Sequence, residues 1–361
     1  MKSVIGKNIT LALYGESHGP AVGVVVDGLP AGIKVNTEFM QYQLDLRKPK
    51  GKISTQRRES DDFTILSGVF NGYTCGTPVN IMMENKAHNS GDYTPALPRP
   101  SHADYAAHIK YGGFEDYRGG GHFSGRLTAP IVAAGAVAID ILKGKGIEIG
   151  THIKKCQHIA DRDFENCAED IALCNSKYFS TLDDAAGAAM QQHIEAVGAD
   201  CDSVGGVLET CVTGLPAGVG EPYFNSVESV LSSWLFSIGG VKGVEFGLGF
   251  GFADSLGSQV NDALRICGGK VVTETNNNGG VNGGITNGMP LVFRTAVKPT
   301  PSIFKEQHTV NLETMENAEI ALKGRHDPAI FHRARVVQDS VTALALLDLL
   351  IQRYGERWLT E

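Results

Sequence analysis

The pentapeptide Gly-Leu-Pro-Ala-Gly occurs twice in this chain, at residues 28–32 and 214–218, and each copy closely follows a run rich in β-branched residues. The two copies are 186 residues apart, close to half of the 361-residue chain. A strand that leads into the same turn twice predicts two similar halves, roughly 1–185 and 186–361, around one shared core. Chance recurrence of common turn residues would give the same pattern. We therefore expect a single domain over 1–361, with internal duplication and chance both open.

Helical periodicity is clear in four segments, and each stops at a glycine, the usual signal of a helix C-terminus. Strand-like runs occur between them. This mixture predicts an α/β (α+β) fold. The helical segments are 127–142, 182–197, 227–238 and 340–354, and the strand-like segments are 22–26, 63–70, 79–83, 206–212 and 291–296.

Charge and cysteine usage exclude several classes of partner. The net charge of −8 argues against nucleic acid, because affinity for a polyanion comes from clustered Lys and Arg. The most apolar stretch, 341–351, is too short to span a bilayer and contains Asp348, so we expect no membrane partner. The seven cysteines lack the spacing of a disulfide framework or a zinc site. We expect a cytoplasmic protein without a bound metal.

The most basic segment holds six Lys and Arg residues within twelve positions of an otherwise acidic chain. Guanidinium groups fork onto phosphate or carboxylate, so the cluster suits a small polyanion. A solvated surface would show the same run of charge. The six residues are Arg47, Lys48, Lys50, Lys52, Arg57 and Arg58.

Several glycine- or proline-flanked loops carry side chains suited to proton transfer or anion binding. His18 stands between glycines, and His102 follows a proline-rich turn; histidine is the side chain best suited to move a proton near neutral pH. The glycine run 119–121 precedes a helix, where backbone N–H groups can meet an anion. Asp327 lies in a charged turn, and Lys298 in a rigid loop. Each loop alone is also compatible with a structural turn.

Taken in order, ten segments resemble blocks of the chorismate synthase family. They extend over nearly the whole chain, and ten collinear blocks are far more specific than any one of them. The stretch 150–181 carries no such block. The ten segments are 15–19, 55–59, 65–77, 100–104, 116–121, 218–222, 242–245, 279–284, 298–300 and 324–328.

The resemblance implies the family's β-α-β sandwich, a homotetramer, and a 1,4-anti elimination of phosphate from 5-enolpyruvylshikimate 3-phosphate that requires reduced FMN (FMNH2). By resemblance, His18 and His102 are proton donors, one toward the departing phosphate and one toward the flavin. Asp327 matches the aspartate that assists removal of the ring proton. Family cations that meet the substrate or a pyridine nucleotide (NADPH) correspond to Arg47, Lys52 and Arg57. The FMN-contacting positions correspond to His122, Phe123, Ser124, Gly239, Gly240, Gly283, Lys298, Pro299, Thr300, Pro301, Ser302 and Arg325.

One loop departs from the family's pattern. Most relatives read Gly-Arg-Ser-Ser-Ala-Arg-Glu-Thr where residues 121–128 read Gly-His-Phe-Ser-Gly-Arg-Leu-Thr, and His122 or Arg126 could replace the missing arginine at the FMN phosphate. Three alternatives to an active enzyme stay open. They are an inactive or repurposed flavin-binding paralogue, a pyridine-nucleotide oxidoreductase, although no GxGxxG follows a strand, and a structural assembly protein. The sequence leaves open whether NADPH reduces the flavin on this chain or another reductase does.

Overall fold

The computed structural model describes residues 3–55, 60–86, 94–322 and 327–361. Within these ranges the helices are α1 (Thr37–Arg47), α2 (Asp104–Tyr111), α3 (Thr128–Gly144), α4 (Cys167–Ser176), α5 (Asp184–Ala199), α6 (Val227–Leu235), α7 (Gly257–Val260) and α8 (Phe331–Tyr354). The strands are β1 (Val4–Ile5), β2 (Thr10–Gly15), β3 (Ala21–Asp27), β4 (Thr64–Ser67), β5 (Val69–Phe70), β6 (Tyr73–Thr74), β7 (Val79–Glu84), β8 (Glu148–Cys156), β9 (Ile159–Ala160), β10 (Gly206–Thr213), β11 (Val241–Phe246), β12 (Leu264–Cys267), β13 (Lys270–Thr273), β14 (Val281–Asn282), β15 (Ile285–Thr286), β16 (Leu291–Val297), β17 (Gln307–Asn311) and β18 (Glu316–Ile320).

Two five-stranded sheets have matching strand orders, β1-β2-β3-β7-β4 and β9-β8-β10-β16-β11. Neighbouring strands are antiparallel in both sheets. Buried side chains alternate with less buried ones along β7 and β16, the period-two pattern of a strand with one face on a core. Each sheet therefore turns one apolar face inward.

Helices fill the space between the two sheets. Helix α3 packs on β3 and β7, α8 packs on β8 and β10, and the two helices pack on each other. Gly135 of α3 allows this approach, because a Cβ there would lie 2.2 Å from the Cβ of Ser340 on α8. The stretch Arg118–Gly144 is long and apolar enough to cross a bilayer, but it is mostly buried, and that burial accounts for its apolar character. The predicted β-α-β sandwich is confirmed.

The repeated pentapeptide forms the same turn in both halves. After β3, the hydroxyl of Thr74 donates to the carbonyl of Pro30 at 2.6 Å and accepts the N–H three residues after that proline at 2.9 Å. After β10, the hydroxyl of Thr286 donates to the carbonyl of Pro216 at 2.7 Å and accepts the corresponding N–H at 2.9 Å. The recurrence in sequence is thus a recurrence in hydrogen bonding.

The last helix is longer than the periodicity predicts, since α8 begins at Phe331 and not at Ser340. The missed turns contain polar residues that interrupt the apolar pattern although they are buried. Gln338 and Asp339 bond to threonine hydroxyls of the second sheet, each at 2.5 Å. Buried polar groups are tolerated when they find such partners.

The predicted strand 63–70 is divided into β4 and β5 at Gly68. This glycine has a φ of +85°, and a Cβ there would lie 2.6 Å from the carbonyl oxygen of Pro78. The other predicted helices and strands are present with shifted ends. Helix α1 and strands β2 and β8 were not predicted, because none shows an uninterrupted apolar period.

Candidate active site

Two histidine-bearing loops meet at the glycine run that precedes α3. A Cβ on Gly119 would lie 2.5 Å from the ring of His18, and a Cβ on Gly120 would lie 3.2 Å from Cε1 of His102. Both glycines have positive φ, +62° and +82°, which disfavours any side chain there. The structure therefore brings His18 and His102, predicted from separate motifs, to adjacent residues of one backbone segment.

Hydrogen bonds fix the loop that carries His18. The N–H of Ser17 donates to the carbonyl of Gly121 at 3.0 Å. The side-chain amide of Asn85 donates to the carbonyls of Glu16 and Gly19 at 3.0 and 2.8 Å. His18 itself is buried, with 5% of its surface exposed. Its ring is thus held against the glycine run rather than swinging in solvent.

The glycine run was predicted to offer backbone N–H groups to an anion. The N–H of Gly120 donates to the carbonyl of Tyr117 at 3.2 Å, so this one group of the run is engaged within the protein. Gly119 and Gly120 also leave the space that the rings of His18 and His102 occupy.

Asp104 and Arg99 hold the ring of His102. Nδ1 of His102 lies 2.6 Å from Oδ1 of Asp104, and Arg99 donates to the two carboxylate oxygens at 2.7 and 2.8 Å. Burial alone would raise the pKa of Asp104, but the hydrogen bonds from Arg99 and His102 outweigh it and hold the pKa well below its usual value. Asp104 is therefore ionised beside the ring.

Arg333 holds Asp327 in the second half of the chain. Oδ2 of Asp327 accepts from Nη1 of Arg333 at 2.7 Å, and Oδ1 accepts from the N–H of Thr55 at 2.8 Å. Nε of Arg333 also donates to the carbonyl of Arg47 at 2.9 Å. Asp327 is thus tied to the end of α1 and to the segment that carries the basic cluster.

Arg47 belongs to a buried ion network. It donates to Asp61 at 2.7 Å, and Asp61 also pairs with Arg126, which in turn donates to Asn85 at 3.0 Å. Burial raises the pKa of Asp61, but the two guanidinium groups outweigh it and lower the pKa. The network carries two positive charges and one negative charge, and through Asn85 it reaches the loop of His18.

The loop after β16 approaches the loop of His102. Nζ of Lys298 donates to the carbonyl of Ser101 at 2.5 Å, and its backbone N–H donates to the carbonyl of Gly240 at 2.9 Å. Burial, and then repulsion from Lys242, lowers the pKa of Lys298. The hydroxyl oxygen of Thr300 is buried, with no hydrogen-bond partner among the described residues. An anionic ligand here would be attracted by the two ammonium groups and could accept a hydrogen bond from the hydroxyl of Thr300.

The remaining predicted contact residues are more scattered. Ser124 caps the 3-10 turn before α3 by accepting from the N–H of Arg126 at 3.3 Å. A Cβ on Gly239 or Gly283 would meet no atom within 4 Å. Pro299 lies against Gly205, Ser302 is buried, and Lys52 is exposed. Arg57 and Arg325 lie outside the described residues.

A cavity of about 840 Å³ lies beside the glycine run. Its wall includes Gly120, His122 and Phe123 but neither Lys298 nor Asp327. Both ring nitrogens of His122 are bonded within the protein, to a backbone carbonyl at 2.8 Å and to a serine hydroxyl at 2.9 Å. His122 and Phe123 thus line this cavity, which also borders Arg99 and Asp104 beside His102. The chemistry of the side chains, and not the size of this cavity, locates the candidate site.

Sequence reasoning missed the residues that hold the predicted ones in place. Arg99 and Asp104 could have been predicted from the sequence as partners of His102, because they flank it at the spacing of a single turn. No sequence pattern points to Asp61 or Arg333, since their roles depend on contacts with residues that are distant in sequence. Lys242 stands inside a recognised segment but was not singled out.

The family model described as chorismate synthase matches residues 9–351. The chorismate synthase of Pyrococcus abyssi is 48% identical over 350 residues, covering 96% of this chain and 97% of the relative. That of Methanobrevibacter smithii is 45% identical over 357 residues, covering 98% and 97%. A crystal structure of chorismate synthase superimposes with a TM-score of 0.76 at 27% identity, covering 97% of this chain and 94% of that chain.

Proposed function

We propose that this chain, which belongs to the chorismate synthase family, carries out the family's reaction with reduced FMN held beside its two histidine-bearing loops. The family's reaction removes phosphate from 5-enolpyruvylshikimate 3-phosphate and gives chorismate, so the chain is a carbon–oxygen lyase of the shikimate pathway to aromatic compounds.

The observation that carries the proposed site is the meeting of His18 and His102 at adjacent glycines, with Lys298 bonded to Ser101. The reaction needs an acid for the departing phosphate and an acceptor for a ring proton. We assign the two histidines as proton donors and Asp327 as the group that assists removal of the ring proton. Positioned proton transfer contributes roughly 10²–10⁴-fold to a rate.

The residues around Lys298 fit the phosphate-bearing end of FMN. Lys298 and Lys242 supply positive charge, the buried hydroxyl of Thr300 lacks a partner among the described residues, and Gly239 leaves open space. FMN, when bound, supplies the electron density that eases cleavage of the C–O bond, which no side chain does well. Arg325, Gly240, Gly283, Ser124 and the loop 299–302 complete the proposed contact set, together with His122 and Phe123 from the neighbouring cavity.

The substrate carries one phosphate and two carboxylates, and the basic cluster offsets this charge. Lys52 and Arg57 are the proposed direct contacts for the substrate or for NADPH. Arg47 acts from a buried position, because its network with Asp61 and Arg126 still has a net positive charge next to the candidate site.

The proposal is tested by an anaerobic assay of phosphate release and chorismate formation with reduced FMN, alongside an FMN binding isotherm. Product with reduced FMN and none with oxidised FMN is the expected result. FMN binding without product would favour the inactive paralogue. Adding NADPH to oxidised FMN in the same assay decides whether the flavin is reduced on this chain or must be reduced elsewhere.

We also propose that the chain acts as a cytoplasmic homotetramer and that residues 1–361 form one duplicated domain. Support for one domain comes from the buried apolar residues of both halves, which form a single cluster. Light scattering should give a mass four times the 38.5 kDa of the chain. A monomer or dimer mass would reject the tetramer.

A further inference from the structure

We propose that Asp104, itself held by Arg99, is a positioning residue that keeps a proton on Nδ1 of His102 and presents Nε2 to the reacting ligands. The inference rests on the role proposed above for His102. It concerns which ring nitrogen can exchange a proton, and so it can be tested apart from turnover.

The contacts of Nδ1 determine where the proton resides. Nδ1 of His102 lies 2.6 Å from a carboxylate oxygen of Asp104 and 3.1 Å from Nη2 of Arg99. A guanidinium only donates and a carboxylate only accepts, so one nitrogen cannot satisfy both. The carboxylate is closer, and Nη2 already donates to it at 2.8 Å. The N–H of Nδ1 therefore donates to Asp104.

This assignment leaves Nε2 as the nitrogen that gains and loses a proton. A Cβ on Gly120 would lie 3.5 Å from Nε2 and 3.2 Å from Cε1 of His102, so this side of the ring faces the glycine run. The ring of His18 lies against the preceding glycine. The exchangeable nitrogen of His102 is thus directed toward the place where the two histidines meet.

Arg99 fixes the carboxylate that orients the ring. Oδ2 of Asp104 accepts from Nε and from the backbone N–H of Arg99, at 2.7 and 3.1 Å. Asp104 is also the first residue of α2, where the helix dipole favours a negative charge. With both oxygens engaged, the carboxylate cannot rotate away from His102.

These contacts predict the structure of Asp104→Asn. The amide oxygen is expected at the position of Oδ2, where it accepts from Nε and the backbone N–H of Arg99. In this orientation the NH₂ group meets one Arg99 donor, Nη2, whereas the opposite orientation would set it against two. The NH₂ group then faces Nδ1 of His102 and donates to it. The proton of the neutral ring moves to Nε2, and the imidazolium loses its counter-charge.

The experiment records long-range ¹H–¹⁵N spectra of the full-length protein with ¹⁵N-labelled histidine, with the signals of His102 assigned by comparison with His102→Gln. Wild type should show protonated Nδ1 and bare Nε2 in the neutral ring, and Asp104→Asn the reverse. In the anaerobic assay, kcat should fall roughly 10²–10⁴-fold, while KM for the substrate changes less than about twofold.

Asp170→Asn is the matched control. Asp170 accepts from Arg162 at 2.5 and 3.1 Å and from a backbone N–H at 2.9 Å, so it reproduces the Arg99–Asp104 pair without the histidine. It should alter stability but neither the tautomer of His102 nor kcat per folded molecule.

An unchanged tautomer in Asp104→Asn, or wild-type kcat with the tautomer reversed, would overturn the inference. Loss of kcat in Asp104→Asn accompanied by a comparable loss of FMN binding, with both retained in the Asp170→Asn control, would mean a structural role and would also overturn it. Failure of the wild type to form chorismate would instead reject the proposed function, and the tautomer result would stand independently.

Discussion

The two halves of the molecule share one framework and differ in what their loops carry. In chain order, β2, β3, α1, β7 and α3 of the first half correspond to β8, β10, α6, β16 and α8 of the second. The connection between β7 and α3 carries His102 and the glycine run, and the equivalent connection between β16 and α8 carries Lys298 and Asp327. The bond from Lys298 to Ser101 joins the two. The candidate site is built where equivalent connections meet.

By contrast, the connection between β2 and β3 and its equivalent between β8 and β10 differ strongly in length. In the first half a five-residue turn, 16–20, carries His18. In the second half residues 157–205 replace it and include α4 and α5. They help to enclose His152 on β8, which bonds to Asp161 and Glu209 at 2.7 and 3.0 Å. A histidine with both nitrogens bound to carboxylates has none left for a ligand, so His152 is a structural residue. His18, in the short turn of the other half, is the histidine proposed to react.

The largest effects should follow from removing the proposed proton-transfer groups. His18→Ala and Asp327→Asn should each lower kcat roughly 10²–10⁴-fold and leave FMN binding in place, as measured by anaerobic turnover and a flavin titration. His152→Gln should lower stability and spare kcat per folded molecule. Wild-type turnover in His18→Ala or Asp327→Asn would contradict the proposed role of that residue. A loss of kcat in His152→Gln equal to that in His18→Ala would contradict the distinction between the two histidines.

A large loss of stability is expected for Asp61→Asn. The substitution leaves the buried guanidinium groups of Arg47 and Arg126 without their shared counter-charge, and breaking a buried pair costs about 3–5 kcal/mol. Chemical denaturation measures the change in unfolding free energy. The control is Asp163→Asn, which removes an exposed pair with Lys154 and should cost no more than about 1 kcal/mol. Equal losses in both variants would refute the network.

The repeated turns provide a matched pair of smaller effects. Thr74→Val and Thr286→Val each remove a buried hydroxyl that both donates and accepts. Each should lower the unfolding free energy by about 1–3 kcal/mol, and the two losses should be similar. A loss in one variant only would show that the two turns share a geometry but contribute differently to the unfolding free energy.

The smallest effect is a pH dependence from the second half. Burial lowers the pKa of His152, but its hydrogen bonds to Asp161 and Glu209 outweigh this and raise the pKa above its usual value. The stability it contributes is full below about pH 6.5 and is lost as the pH rises through the raised pKa. Unfolding midpoints should therefore fall more steeply above about pH 7 in wild type than in His152→Gln. Parallel curves would contradict the charged state of His152.

A second buried histidine acts in a different pH range. Burial, and then Arg333, lowers the pKa of His332 to about 3. His332 is therefore neutral in the fold and costs stability only as the pH falls below about 6.5. Measurements above neutral pH isolate the contribution of His152.

Sequence patterns predicted the helices and strands better than the hydrogen bonds and ion pairs that connect them. Helical periodicity with its glycine stops identified α3 and α6, and strand-like runs identified β3, β10 and β16, because each pattern depends on residues close together in the chain. They also identified His18, His102 and Asp327 as candidates. The partners Asp61 and Arg333 could not be predicted, since Arg333 bonds to a carbonyl 286 positions away, a contact that only the sandwich creates. The start of α8 was missed for the same reason, because the partners of Gln338 and Asp339 lie on another sheet.

The central claim is that the two equivalent connections form one site. A crystal structure with FMN and the substrate tests it most directly. His102, Lys298 and Asp327 should each lie within about 4 Å of a bound ligand, with Nε2 of His102 as the nearer ring nitrogen. Ligands bound instead in the cavity beside His122 and Phe123, with Lys298 and Asp327 untouched, would contradict the account.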